Sequence, residues 1–170
     1  MERLNQSFFA RDCLVVAPEL VGKILVHRDV SGQELRLRIS ETEAYAGVDD
    51  TACHAHKGKT PRNRLLWEDA GTVYIYLCYG VHWMLNIITG EKDVPQGVLI
   101  RACEGHPGPG RLTKALGITK ELNHSSILLS QRLWVEDDGF RPQVIPDRRV
   151  GIAYASVEDQ ERLWRFKMGK

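Results

Sequence analysis

A run from Glu34 to Tyr45 alternates apolar and polar residues and then carries two carboxylates, Glu41 and Glu43. Continued alternation puts both on the side that Leu35, Leu37 and Ile39 commit to the core. A carboxylate held there is costly without partners or a task. Burial would lift its pKa toward the range in which a general base works near neutral pH. Glu43 is therefore the first candidate for chemistry, and the competing reading is that the strand leaves the core at Ser40 and solvates both glutamates. His54 and His56, near Cys53, Asp49 and Asp50, offer metal-type donors, but their spacing fits no common zinc pattern and suits pocket-lining or structural histidines. Arg62 and Arg64, in Pro61-Arg62-Asn63-Arg64, suit phosphate contacts, and arginines in exposed loops are also common without one. Tyr74, Tyr76, Tyr79 and Trp83 concentrate aromatic rings in one short stretch. Cross-strand packing accounts for some of them. Tyr79, beside Gly80, has no easy route to a core and suits stacking or wedging.

These side chains need elements to hold them. Lys23-Ile24-Leu25-Val26 reads as a strand, Val30-Ser31-Gly32-Gln33 as a turn, and Glu34 to Tyr45 as the second strand of a hairpin. From Gly47 to Arg64 the composition is that of a long irregular loop, a length that in a compact domain is usually functional or disordered. Thr72 to Cys78 and Val81 to Thr89 form a second hairpin around Tyr79-Gly80. Gly97 to Cys103 is an apolar strand, Gly105 to Gly110 a Gly/Pro loop, and Arg111 to Leu116 a short helix closed by Gly117. Near the end come a strand at Leu133 to Glu136, a Pro-broken loop around Pro142 and Pro146, and a strand at Val150 to Tyr154. The opening segment through Val16 reads as a short helix or an extended piece on the core.

A length of 170 residues suits a single domain spanning residues 1–170, long enough to bury a core without disulfides or a structural metal. No apolar run reaches membrane-spanning length, and the N-terminus carries no export signal, which gives a cytoplasmic expectation. Four cysteines lie far apart with no Cys-x-x-Cys pair, which favours incidental thiols. A net charge of +1 argues against non-specific coating of a polyanion. Between Thr51 and Lys120, however, nine Lys and Arg face five Asp and Glu, so a local basic face is open to the fold.

Several motifs in register resemble the alkyladenine DNA glycosylase (3-methyladenine DNA glycosylase) family. They are Glu41-Thr42-Glu43-Ala44-Tyr45, His54, Thr60-Pro61-Arg62-Asn63-Arg64, and Gly71-Thr72-Val73-Tyr74-Ile75-Tyr76 with Tyr79-Gly80 and Asn86. Leu99-Ile100-Arg101-Ala102 and Gly108-Pro109-Gly110-Arg111-Leu112-Thr113-Lys114-Ala115-Leu116-Gly117-Ile118 continue the series. The resemblance runs from about Gly22 to Phe166. It implies an α+β single domain with a curved, mainly antiparallel sheet, packed helices and a protruding β-hairpin. It also implies a monofunctional enzyme that flips alkylated or deaminated purines (3-methyladenine, 7-methylguanine, hypoxanthine, ethenoadenine) out of double-stranded DNA and hydrolyses the N-glycosidic bond. On this resemblance Glu43 is the general base and Arg101 helps hold the attacking water or the adjoining backbone. Tyr45 is one wall of the base pocket, His54 and Tyr76 the other, and Asn86 excludes the 2-amino group of guanine. Tyr79 wedges into the minor groove, and Arg62, Arg64, Arg111 and Lys114 are the DNA-contacting cations. No cofactor, metal or membrane is implied, the expected partner is duplex DNA with a damaged purine, and a monomer suffices. No lysine stands at the matched base position, so no Schiff base and no strand cleavage are expected.

The chain departs from the family pattern between Glu104 and Gly108, where relatives carry a longer connection, and at its end, soon after Phe166. Arg111 stands where a lysine is more usual. A geometric demand also follows. With a two-residue Tyr79-Gly80 turn, Cys78 pairs with Val81, and Tyr76 and Asn86 face opposite sides; both can line one pocket only if the turn is odd in length or bulged. Two other function classes remain in contrast: a metal-dependent hydrolase using Glu41, Glu43, His54 and His56, and a non-catalytic module that binds bent or damaged DNA through Tyr79 and the basic loop.

Overall fold

The computed structural model describes all 170 residues. The elements in chain order are β1 (Glu2–Arg3), α1 (Gln6–Phe9), α2 (Cys13–Leu20), β2 (Ile24–Arg28), β3 (Glu34–Tyr45), β4 (Val73–Cys78), β5 (His82–Ile88) and β6 (Gly97–Cys103), followed by α3 (Pro109–Leu116), β7 (Leu133–Asp137), β8 (Val144–Asp147), α4 (Val157–Glu161) and β9 (Arg165–Met168). The class is α+β. The strands make one open antiparallel sheet, β1-β7-β2-β3-β6-β5-β4, with β9 added on β3 and β8 on β9. No helix is long and apolar enough to cross a membrane.

Local chemistry sets the ends of these elements. Asp12 caps α2 by accepting from the Leu14 amide at 2.8 Å. Pro109 opens α3, and Gly117, in the left-handed region at φ 70°, closes it. The short Glu104–Gly108 connection is a tight turn in which Cys103 and His106 exchange backbone hydrogen bonds, so β6 reaches α3 with no further residues.

α2 packs on β3 and β6, and α3 on β5 and β6, so both helices cover one face of the sheet. Phe9, Leu20, Leu25, Ile39, Leu85, Ile100 and Leu112 are fully buried in the core between them. On the opposite face, Cys53, Ala55, Leu65, Leu66, Tyr74 and Ile88 form a smaller apolar cluster. It lies under the irregular segment after Gly47, whose only regular structure here is two single 3-10 turns, His54–Lys57 and Arg64–Trp67.

Four sequence expectations need correction. Alternation along β3 does not continue to Tyr45, because the pairing with β6 shifts register on both sides of Glu41. Leu37 and Ile39 face the helix-side core, but after the bulge it is Ala44 that joins that core and Thr42 that hydrogen-bonds Ala17 of α2 at 2.7 Å. Glu43 and Tyr45 thus turn to the other face. Leu35, expected in the core, is 39% exposed at the strand's open end. Val150 to Tyr154 is a series of turns rather than a strand, and the segment around Pro146 is strand β8. Pro146 is tolerated because β8 pairs only with β9 and the proline can lie on an edge without a ladder donor.

The β4–β5 hairpin meets the odd-length demand. Cys78 pairs with His82 across the three residues Tyr79, Gly80 and Val81, and Tyr76 pairs with Met84 and Tyr74 with Asn86. Tyr74, Tyr76, Met84 and Asn86 therefore share one face.

Candidate active site

The register brings four residues into one row across four strands. Tyr74 pairs with Asn86, Asn86 with Leu99, and Leu99 with Glu43. At about 4.8 Å per strand, the backbones at Glu43 and Asn86 lie roughly 10 Å apart. All four residues line a cavity of about 460 Å³, together with Tyr45, His54, Tyr76, Tyr79, Arg101 and the segment Val150–Ile152.

Glu43 has no accessible surface of its own. Its Oε1 accepts from the Tyr45 hydroxyl at 2.9 Å and its Oε2 from the Val150 amide at 2.7 Å. Each oxygen keeps a further lone pair for a water. Burial raises the Glu43 pKa; the Val150 amide, Arg101, the Tyr45 hydroxyl and Arg149 oppose that rise by favouring the anion. Arg101 is half-buried on β6 and is held 3.6 Å from Glu41, which also pairs with Arg165 at 3.3 Å. Glu41 is thus occupied by cations and Glu43 is not.

The aromatic walls follow from the hairpin. His54 and Tyr76 have ring centroids 4.5 Å apart, and Tyr74 and Tyr76 5.4 Å. His54 Nδ1 lies 3.0 Å from the Tyr74 hydroxyl. His54 is exposed by accessible surface although its neighbours crowd it; that crowding, and then the Arg62 charge, lowers its pKa, so the ring is neutral at neutral pH. Burial pushes the Tyr74 hydroxyl up to about 12 and those of Tyr45 and Tyr76 upward as well, so the tyrosines stay protonated. The cavity is a neutral ring cluster with one carboxylate, Glu43, and one guanidinium, Arg101, in its lining. Asn86 directs Nδ2 to the Tyr74 and Met84 carbonyls at 3.2 and 3.4 Å, which fixes its amide in the row two strands from Glu43.

Tyr79 stands at the cavity mouth, 88% exposed, with its backbone at φ 52°. Asn63 pins its loop by donating to the His54 and Gly58 carbonyls at 2.9 Å each, which leaves Arg62 and Arg64 outside. Arg62 reaches the Leu77 carbonyl at 3.1 Å. Arg111 and Lys114 are exposed on α3, whose Pro109 lines the cavity. None of these four cations has a carboxylate within ion-pair distance, whereas ten other arginines do.

The donors of the alternative metal site are not gathered. No group of three His, Cys, Asp or Glu side chains is placed to hold an ion, and His56 is exposed with Nδ1 on the Val48 carbonyl at 2.8 Å. A more open concavity of about 750 Å³ lies beside the N-terminus, but most of its charges are paired with one another, in Arg11–Glu19, Lys23–Asp137 and Arg141–Asp137. Sequence reasoning missed the Val150 amide, Tyr154 and the buried pair Arg149–Asp50. Asp50 registered only as a metal-type donor, and nothing in Asp147-Arg148-Arg149 marks which arginine turns inward.

The family model for methylpurine-DNA glycosylase matches residues 7–107 and 105–170, and its two segments meet in the short turn before α3. A Psychrobacter cryohalolentis protein with the provisional name 3-methyladenine DNA glycosylase is 42% identical, covering 96% of this chain and 90% of its own. Proteins of the same provisional name are 37% identical in Natranaerobius thermophilus, covering 96% and 94%, and 41% identical in Anaeromyxobacter dehalogenans, covering 98% and 83%.

Proposed function

Since the chain belongs to the methylpurine-DNA glycosylase family, and so to the DNA glycosylases of alkylation-damage repair, we propose that it excises alkylated and deaminated purines from duplex DNA by direct hydrolysis, with Glu43 as the general base. The observation that carries this reading is a carboxylate without accessible surface, pinned by two donors, in the wall of an aromatic cavity and in the same row as a fixed amide.

The base inside a stacked duplex exposes no path to C1′, so the nucleotide must be flipped. Tyr79, exposed at the hairpin tip, fills the gap in the stack, while Arg62, Arg64, Arg111 and Lys114 hold phosphates. The purine lies between Tyr45 on one side and His54 and Tyr76 on the other. A cationic base such as 3-methyladenine or 7-methylguanine gains about 0.5–2 kcal/mol per ring face. Asn86, whose amide is fixed by two carbonyls, blocks the 2-amino group of unmodified guanine.

Hydrolysis then needs one water. Glu43 takes its proton as the oxygen bonds to C1′, and the electron pair of the glycosidic bond leaves with the base, which neutralises a cationic purine. Arg101 holds the water or the neighbouring backbone. The Glu43 anion also stabilises the positive charge that builds on the sugar. A neutral lesion such as hypoxanthine must also gain a proton as it leaves. The cavity lining contains no lysine, which supports hydrolysis without a Schiff base and without strand scission.

The test is to incubate the protein with methylated duplex DNA and to analyse both products. Free methylpurine and an abasic strand that breaks only on alkali treatment are expected; no free base, or a nick without alkali, would contradict the proposal.

A further inference from the structure

We propose that Arg149, paired with Asp50, is a positioning residue for Glu43: one buried guanidinium sets both groups that hold the carboxylate and supplies a positive charge beside it. This inference rests on the reading of Glu43 as the base. The Arg149 and Asp50 side chains have 0% and 1% of their surface accessible and form a bidentate pair at 2.6 and 2.9 Å. Arg149 also donates to the Ala44 carbonyl at 3.0 Å and the Asp159 carbonyl at 3.3 Å. Its guanidinium lies 4.9 Å from the ring centroids of both Tyr45 and Trp164. Ala44 links Glu43 to Tyr45, and Val150 directly follows Arg149. The two bonds to the carboxylate, from the Tyr45 hydroxyl and the Val150 amide, therefore both end on groups that Arg149 fastens. Asp50 extends the clamp by accepting from the Ala46 and Ala52 amides at 2.9 and 3.1 Å.

A buried ion pair is a poor route to stability, since an apolar pair of the same volume often serves as well or better. Its presence here calls for another role. Tyr45 from β3, Arg101 from β6, Tyr76 from β4, and Arg149 and Tyr154 from the turn segment after β8 all act electrostatically on Glu43 or feel its charge, and His54 lines the same cavity. Arg101 and Arg149 are the two cations in that set. Arg149 favours the Glu43 anion against its desolvation, so its loss moves the acidic limb of the reaction to higher pH.

The experiment measures single-turnover base release from a methylated duplex between about pH 5 and pH 9 for the wild type, E43Q, R149K and the double variant R149M/D50N. The asparagine retains an acceptor for one of the two backbone amides, which bond different oxygens of Asp50. For the double variant the limb is expected to move to higher pH and the rate at neutral pH to fall about tenfold or more, with lesion-duplex affinity within about threefold. R149K, which keeps the charge without the fork, is expected to keep the limb and lose plateau rate. A bound double variant with wild-type limb and rate overturns the inference. If that variant fails to fold, wild-type behaviour of R149K overturns it. Wild-type rates in E43Q would instead locate the failure in the choice of base.

Discussion

Glu43 is where stability and chemistry conflict most directly. Its folded-state pKa is raised by burial, so relative to the unfolded chain the protonated form is favoured. The penalty is absent below the unfolded carboxylate pKa and is fully present once pH exceeds the raised value. Glu43→Gln is therefore expected to raise the melting temperature near neutral pH by about 2–4 °C, in keeping with relief of about 1 kcal/mol, and to bring no gain at about pH 4. Thermal melts at the two pH values check this. The same anion must be present for catalysis, so base release should fall as pH drops through the raised value, at a pH above the ordinary carboxylate range. Two strands along the same row, Asn86→Ala removes the fixed amide, and release of unmodified guanine relative to methylpurine is expected to increase, by about tenfold for a clash of 1–2 kcal/mol. Composition of the strand made Glu43 a candidate, because a carboxylate on an otherwise apolar pattern is conspicuous. Its partners stayed hidden. Val150 contributes a backbone amide that no side-chain pattern reports, and the Arg149–Asp50 pair joins loops separated by 99 positions.

The elements carry information that the residue pattern hid or misdirected. Simple alternation delivers Glu43 to the helix-side core, and only the bulge around Glu41 turns it to the cavity. Deleting Ser40 removes the extra residue and leaves Ile39, Thr42 and Ala44 in strict alternation, so we expect Glu43 to stay on the cavity face with base release retained, at a cost of about 1–3 kcal/mol for the realigned ladder; Ser40→Ala is expected to stay within about 0.5 kcal/mol. Denaturant unfolding distinguishes the two. The hairpin was more legible. Requiring Tyr76 and Asn86 on one face demanded an odd-length turn, and the turn has three residues. Tyr79, 88% exposed at its tip, makes no fold contribution worth defending. Tyr79→Ala is expected to leave stability within about 0.5 kcal/mol and to lower kcat/KM on lesion duplex by about tenfold or more, as a lost stacking contact of 1–3 kcal/mol implies. Strand β8 escaped notice because Pro146 argues against a strand, and the edge position that permits it is a tertiary fact.

Across the whole molecule the net charge of +1 conceals an uneven arrangement. Most arginines are neutralised by neighbouring carboxylates, and Arg62, Arg64, Arg111 and Lys114 are left free on the cavity side of the chain's loops and on α3. With about four phosphate contacts, the slope of log affinity against log salt should be about −3.6, and each substitution by alanine should reduce it by about 0.9. Titrations at several salt concentrations test that count. At this scale the sequence was most readable: motif resemblance over nearly the whole chain implied the α+β class and the projecting hairpin, and hydropathy alone found β2, β3, β6 and α3. Periodicity could not show that β9 and β8 extend the sheet beside β3, because that pairing joins strands more than a hundred residues apart. The central claim is that the cavity's buried carboxylate drives hydrolysis. Single-turnover release of methylpurine by wild type and Glu43→Gln, with duplex binding measured in parallel, tests it most directly. A loss of about 10²–10⁴-fold with binding retained is predicted, and a glutamine variant that releases base at the wild-type rate would contradict the account.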